Sequence, residues 1–143
     1  MNRQDTPMQR FFREFERNSS EGNVAASIAQ FADVFLAAGP QGAQAVRASD
    51  FALALPKRFQ FFADLGCKAT ELAAFEEQEL DSRFKMVRTQ WRMRFARGKE
   101  GERAVLADSI FLVDTGVEPF RIVFYLAKQD YMAMLRANGI LKG

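Results

Sequence analysis

Thr89-Gln90-Trp91-Arg92-Met93-Arg94-Phe95 decides the fold, because its side chains change character at every step. Thr89, Trp91, Met93 and Phe95 fall on one side; Gln90, Arg92 and Arg94, with Arg88 before them, fall on the other. A period of two is the mark of a β-strand with one face buried. Reading outward, residues 68–79 and 82–97 form a long hairpin around Asp81. Placing Glu79 across from Arg83 and Glu77 across from Lys85 sets opposite charges against each other. Gly98-Lys99-Glu100-Gly101 is a loop, 104–113 a strand, Asp114-Thr115-Gly116 a turn and 119–126 a further strand. Asp130 caps a short helix that ends at Asn138-Gly139.

Upstream the period is helical. Thr6-Pro7-Met8-Gln9 combines a cap, a proline at the first position and a capping-box glutamine. Met8, Phe11, Phe12 and Phe15 share the stripe that follows, and the helix fades at Asn18-Ser19-Ser20. Val24, Ile28, Phe31 and Phe35 are spaced by four, three and four, which predicts a second helix from Asn23 that stops before Gly39-Pro40. Residues 41–47 read as a loop or short strand. Ser49-Asp50 starts a third helix through Leu65, with Phe51, Leu55, Phe59 and Phe62 inward and Gly66 closing it. Pro56 either kinks this helix or divides it into two. The sequence therefore predicts one α+β domain over 1–143. Its helices pack on a strongly curved, four-stranded antiparallel sheet, with a short C-terminal helix.

Binary pattern then assigns the faces. With Arg92 across from Asp108 and Ser109 across from Phe124, one face carries Thr89, Trp91, Met93, Phe95, Val105, Ala107, Ser109, Phe111, Val113, Phe120, Ile122, Phe124 and Leu126. It is almost wholly apolar and receives the helices. The other face sets Leu106, Ile110, Leu112, Val123 and Tyr125 among Arg88, Arg92, Arg94, Asp108 and Arg121. An apolar centre inside a charged rim predicts a homodimer built through Ile110, Leu112, Val123 and Tyr125.

Composition excludes much chemistry. The chain has no histidine, so serine–histidine and cysteine–histidine catalysis and histidine metal sites are out. A single cysteine, Cys67, allows no internal disulfide, no CxxC motif and no thiolate zinc site, so no metal is expected. No nucleotide-binding glycine motif is present, and no cofactor is expected. The net charge of +2 argues for neither nucleic acid nor an anionic membrane. The charged N-terminal stretch 1–17 has no apolar core of the kind a signal peptide needs, and no apolar run is long enough to span a bilayer. With a lone thiol, the reading is a cytoplasmic protein. The 15 phenylalanines, against 2 tyrosines and 1 tryptophan, point to an aromatic interior or a large apolar cavity.

The order of elements, with the alternation of Thr89–Phe95 and of Phe120-Arg121-Ile122-Val123-Phe124-Tyr125-Leu126, resembles the nuclear transport factor 2-like superfamily. That superfamily includes ketosteroid isomerase and the SnoaL-like polyketide cyclases. The resemblance covers the whole chain and implies a cone-shaped, cystatin-like fold with a pocket between helices and concave sheet, and frequent dimerisation through the sheet. It implies a small-molecule-binding protein whose pocket wall is Trp91, Met93, Phe111 and Phe124, with Ser109 as a polar group among them. The ligand is then small and apolar or aromatic. Two alternatives accompany this reading. One is an isomerase, cyclase or dehydratase that uses a pocket carboxylate and Tyr125 or Tyr131. The other is a non-catalytic dimeric interaction domain with a filled cone.

No catalytic residue follows from the sequence. Asp108, mid-strand between Ala107 and Ser109, reads as a desolvated general base or as an ion-pair partner of Arg92 or Arg121. Asp33 reads as a group at the cone mouth or a solvated helix position, and Asp50 as a helix-start residue. Trp91 is either pocket wall or plain core. Cys67, without a base, is an inert thiol. Arg88, Arg92, Arg94, Arg97, Lys99 and Arg103 could grip phosphates. They lack interleaved aromatics, and the acidic run Glu71, Glu76, Glu77, Glu79, Asp81 is a sufficient counterpart, so no nucleic acid is expected.

Overall fold

The computed structural model describes residues 6–141, so the charged residues 1–5 lie outside it. Helix α1 (Pro7–Glu21) starts as its sequence dictates: the Gln9 amide donates to Thr6 Oγ1 at 3.0 Å, and Pro7 occupies the first turn. It ends at Gly22, whose φ of 66° is the left-handed cap that glycine adopts without strain. Helix α2 (Val24–Ile28) is capped by the Asn23 side chain and lasts barely more than a turn.

The expected continuation of that helix through Phe35 is replaced by strand β1 (Phe31–Gly39), which turns into β2 (Gly42–Arg47). Residues four apart share a face in a strand as well as in a helix, so the Phe31–Phe35 spacing fits both. Non-local pairing makes the choice. β1 runs antiparallel to β2 on one side and parallel to β6 (Arg121–Ala127) on the other, with the Ile122 amide donating to the Gln30 carbonyl at 2.8 Å. Helix α3 (Ala48–Asp64) is continuous through Pro56. Ser49 and Asp50 lie within its first turn, and the capping position falls to Arg47, whose side chain makes no capping bond.

Strands β3 (Cys67–Glu79), β4 (Phe84–Ala96) and β5 (Glu102–Asp114) complete a curved six-stranded sheet with β6, in the order β2-β1-β6-β5-β4-β3. The expected count of four misses the β1–β2 hairpin at one edge. Helix α4 (Tyr131–Ala137) follows, capped by Asp130.

Registers differ from expectation in two ways. Glu79 faces Lys85 rather than Arg83, and Asp108 faces Gln90 rather than Arg92. Both are slips of two residues, which leave every side chain on its expected face. The Glu77–Lys85 ion pair survives diagonally at 3.2 Å. Between β5 and β6 the slip changes faces. Leu112 pairs with Phe124 and Val113 with Ile122, so Val123 is an extra residue, a β-bulge. Below the bulge Ile122 is fully buried, as expected. Above it, Tyr125 pairs with Phe111 and enters the concave face, while Phe124 and Leu126 move to the convex one with Leu112 and Ile110.

The core lies between the helices and the concave face. Met8 and Phe12 of α1 meet Phe31, Val87, Trp91, Phe111 and Ile122 in one cluster; Met93, Phe95, Val105, Leu135 and Ile140 form a second beneath α4.

Candidate functional site

The helices do not fill the concave face. A cavity of about 590 Å³ lies between α3, the C-terminal end of α1 and the inner face of the sheet. Its walls are built by the two periodicities in the sequence. The sheet contributes every second residue, Trp91 and Met93 from β4 and Ala107, Ser109 and Phe111 from β5. Helix α3 contributes Phe51, Leu55, Phe59 and Phe62, the stripe its spacing predicts. Phe15, Phe31 and Phe35 close the far side.

Of the residues assigned to a pocket wall, Trp91, Met93, Ser109 and Phe111 line this cavity. Phe124 does not: the bulge at Val123 turns it outward and puts Tyr125 in its place, stacked on Phe111 at 5.1 Å. The same bulge removes Tyr125 from the convex face where it was expected. Trp91 is core and wall together. It is 5% exposed, its indole N–H donates to Thr89 Oγ1 at 2.8 Å, and its ring sits 5.4 Å from that of Phe15.

One group of polar residues interrupts the apolar lining. The hydroxyls of Tyr125 and Tyr131 lie 3.2 Å apart, and the guanidinium of Arg58 stands 5.4 Å from the Tyr131 ring and 5.7 Å from that of Phe62. Arg58 is an exposed residue that lines the cavity. Burial works against the charge of Arg58, and the two tyrosine oxygens more than offset it, so its pKa lies above the ordinary value. Burial pushes the Tyr131 hydroxyl well up, Tyr125 adds to the shift, and the Arg58 charge offsets only part of it. The site thus holds one fixed cation and, beside the Tyr125 hydroxyl, a Tyr131 phenol that keeps its proton and can donate it in a hydrogen bond.

Sequence reading passed over Arg58. Its signal was present: Phe51, Leu55, Arg58 and Phe62 are spaced by four, three and four, so a cation lies on the apolar stripe of α3.

The acids lie elsewhere. Asp108 is on the convex face, where its carboxylate accepts from Gln90 at 3.2 Å and Gln129 at 3.0 Å, so it is neither a pocket base nor a partner of Arg92 or Arg121. Asp33 is exposed on β1, not on a helix, and Asp50 is exposed in the first turn of α3. Glu21, exposed at the end of α1, is the one carboxylate among the described lining residues. Cys67 lines the cavity, its thiol pushed up by burial and donating to the Ala69 carbonyl.

Four of the six basic residues in the arginine row, Arg92, Arg94, Arg97 and Arg103, are engaged within the fold. Arg94 bonds Glu102 at 3.0 Å and Glu71 at 2.9 Å, and Arg92 stands 3.8 Å from Glu71. Arg97 and Arg103 donate to the carbonyls of Leu65, Asn138 and Gly139, tying the C-terminal segment to the sheet. Among the described residues no three of His, Cys, Asp and Glu stand close enough to hold a metal ion, and no helix is long and apolar enough to cross a membrane.

No family model and no curated protein matches this sequence. Solved structures do. An NTF-2-like protein of unknown function from Shewanella oneidensis superposes with a TM-score of 0.70 at 12% identity, over 86% of this chain and 97% of its own. An NTF2-like protein with a cystatin-like fold from Novosphingobium aromaticivorans gives 0.70 at 12% identity, over 96% of this chain and 88% of its own. The beta subunit of benzoate 1,2-dioxygenase from Burkholderia mallei gives 0.65 at 14% identity, over 94% and 96%. The chain has the NTF2-like, cystatin-like α+β fold.

Proposed function

We propose that this protein binds a small, ring-bearing apolar molecule between α3 and the concave sheet. The observation that carries the reading is the cavity itself, about 590 Å³ and walled mainly by Phe15, Phe31, Phe51, Trp91, Met93 and Phe111. That volume lies within the range of small-molecule sites, roughly 300–1,000 Å³, and apolar walls with a few convergent polar groups are their usual composition. A filled interaction domain would have no such space. An enzyme using a desolvated carboxylate would need an acid deeper in the cavity than exposed Glu21. Trp91 is the single tryptophan and part of the wall, so its emission reports occupancy directly. Titration with aromatic, steroid-like and polyketide-like compounds is expected to shift or quench that emission saturably. If no compound perturbs Trp91, the binding reading fails.

A second observation favours self-association. Leu36, Phe124, Leu112 and Met86 form a continuous apolar row across β1, β6, β5 and β4 on the convex face, with Leu126 and Ile110 beside it. Leu36 is 41% exposed and Leu106, on the same face, 48%. A second copy of the chain is the partner this face fits, with Ile110 and Leu112 at its centre, Val123 at the bulge, and Phe124 in the place first given to Tyr125.

A further inference from the structure

We infer that the ligand of this cavity is a monoanion, a ring system carrying one carboxylate, with the carboxylate held by Arg58 and the hydroxyls of Tyr125 and Tyr131. The inference rests on the binding reading above and adds the chemistry of the bound group. Three observations carry it.

The first is the lack of a counter-charge. Arg58 makes no ion pair among the described residues; its contacts are the faces of Phe62 and Tyr131 and the two phenol oxygens. The guanidinium therefore stands in the cavity wall with aromatic faces beside it and, among the described residues, no carboxylate to balance its charge. A cation placed this way, with no anion of its own, is available to pair with one that a ligand brings.

The second is the donor set. Of two hydroxyls 3.2 Å apart, one donates to the other, which leaves one phenolic proton to donate beyond the pair, where the Ser109 hydroxyl also reaches Tyr131. Guanidinium N–H groups and a phenol O–H converging from α3, β6 and α4 match the lone pairs of a carboxylate.

The third is the count of charges. The other cation in the lining, Lys68, is committed to Glu102 at 2.6 Å, and the one carboxylate among the described lining residues, Glu21, is exposed at the end of α1 with no ion pair to Arg58. One unassigned positive charge balances one negative charge, so the set suits a carboxylate better than a phosphate dianion. The aromatic lining around this polar corner suits a planar apolar body behind the carboxylate.

The test uses matched pairs that differ only in charge, 2-naphthoate against 2-naphthamide and anthracene-2-carboxylate against its amide, titrated by calorimetry at pH 7.5. Wild-type protein is expected to bind the carboxylate of a pair about tenfold or more tightly than the amide, the effect of one charge-assisted partner. In Arg58→Met the preference is expected to disappear while the amide keeps its affinity. In Tyr131→Phe the preference is expected to fall by a smaller factor with Arg58 intact. Should Arg58→Met not fold, by circular dichroism, the Tyr131→Phe and Arg58→Lys variants carry the comparison, with Arg58→Lys keeping most of the preference. Equal binding of carboxylate and amide to the wild type, or a preference that survives Arg58→Met, overturns the inference and leaves the binding reading standing. Failure of both members of both pairs to bind overturns the two together.

Discussion

Truncation of Phe12 to alanine removes the ring that anchors α1 to the sheet. Phe12 is completely buried, with ring centroids 4.9 Å from Phe111, 5.3 Å from Phe11, 5.8 Å from Phe15 and 6.0 Å from Phe75. These neighbours belong to three elements whose backbones are fixed by helix or sheet hydrogen bonds, so they cannot collapse fully into the space. Phe→Ala in such a core costs about 3–5 kcal/mol, and the poor relaxation places this site near 4 kcal/mol. Against a typical domain stability of about 5–15 kcal/mol that is a large fraction. Phe12→Leu keeps most of the volume and is expected to cost about 1.5 kcal/mol or less. Equilibrium urea unfolding, followed by far-ultraviolet circular dichroism and by Trp91 emission, measures both. The midpoint is expected to fall in the order wild type, Leu, Ala with an unchanged slope. Phe12 does not line the cavity, so ligand affinity of the folded fraction is expected to stay constant. A loss below about 1 kcal/mol for Phe12→Ala would refute the packing of α1 against the concave face.

Other perturbations probe other parts of the molecule. Gly66 has a φ of 91°, and a Cβ there would lie 2.9 Å from the Ala96 carbonyl oxygen, so Gly66→Ala is expected to cost about 1–3 kcal/mol in thermal or urea denaturation; a neutral effect would refute the close approach of the two chain segments. Glu102, hydrogen-bonded by Arg94 and then Lys68, is pulled down to about 2. Its native pKa lies below the unfolded value, so its contribution to stability is present above the ordinary carboxylate range and is lost as pH falls towards 2. Carboxyl-carbon NMR titration should show Glu102 ionised at pH 3, and an ordinary glutamate titration there would contradict the cluster. Light scattering at tens of micromolar is expected to give about twice the chain mass, and Ile110→Arg on the convex face is expected to lower it towards one; a monomeric wild type would count against the dimer.

Local signals fixed the parts of this protein that rest on local physics. Thr6-Pro7 and Asn23 cap helices because their hydroxyl and amide oxygens reach free amides within the same turn. The alternation of Thr89–Phe95 put Trp91 and Met93 on the buried face, and the register slips of two residues in β3–β4 and β4–β5 could not change that, because a strand's side-chain period is two. The tertiary structure decided three further things. Residues 31–39 became a strand because their amides and carbonyls found β2 across a tight hairpin and β6, a partner about ninety residues away that no local window contains. The extra residue at Val123 exchanged Phe124 for Tyr125 on the concave face, since a bulge inverts the faces of a strand and its position depends on the pairing partner. Arg58 lay in plain view on an apolar stripe, but its meaning depends on Tyr125 and Tyr131, which reach it only when the sheet curls and α4 folds back. Apolar faces can be read from periodicity alone; a polar site assembled from α3, β6 and α4 exists only once those elements are packed.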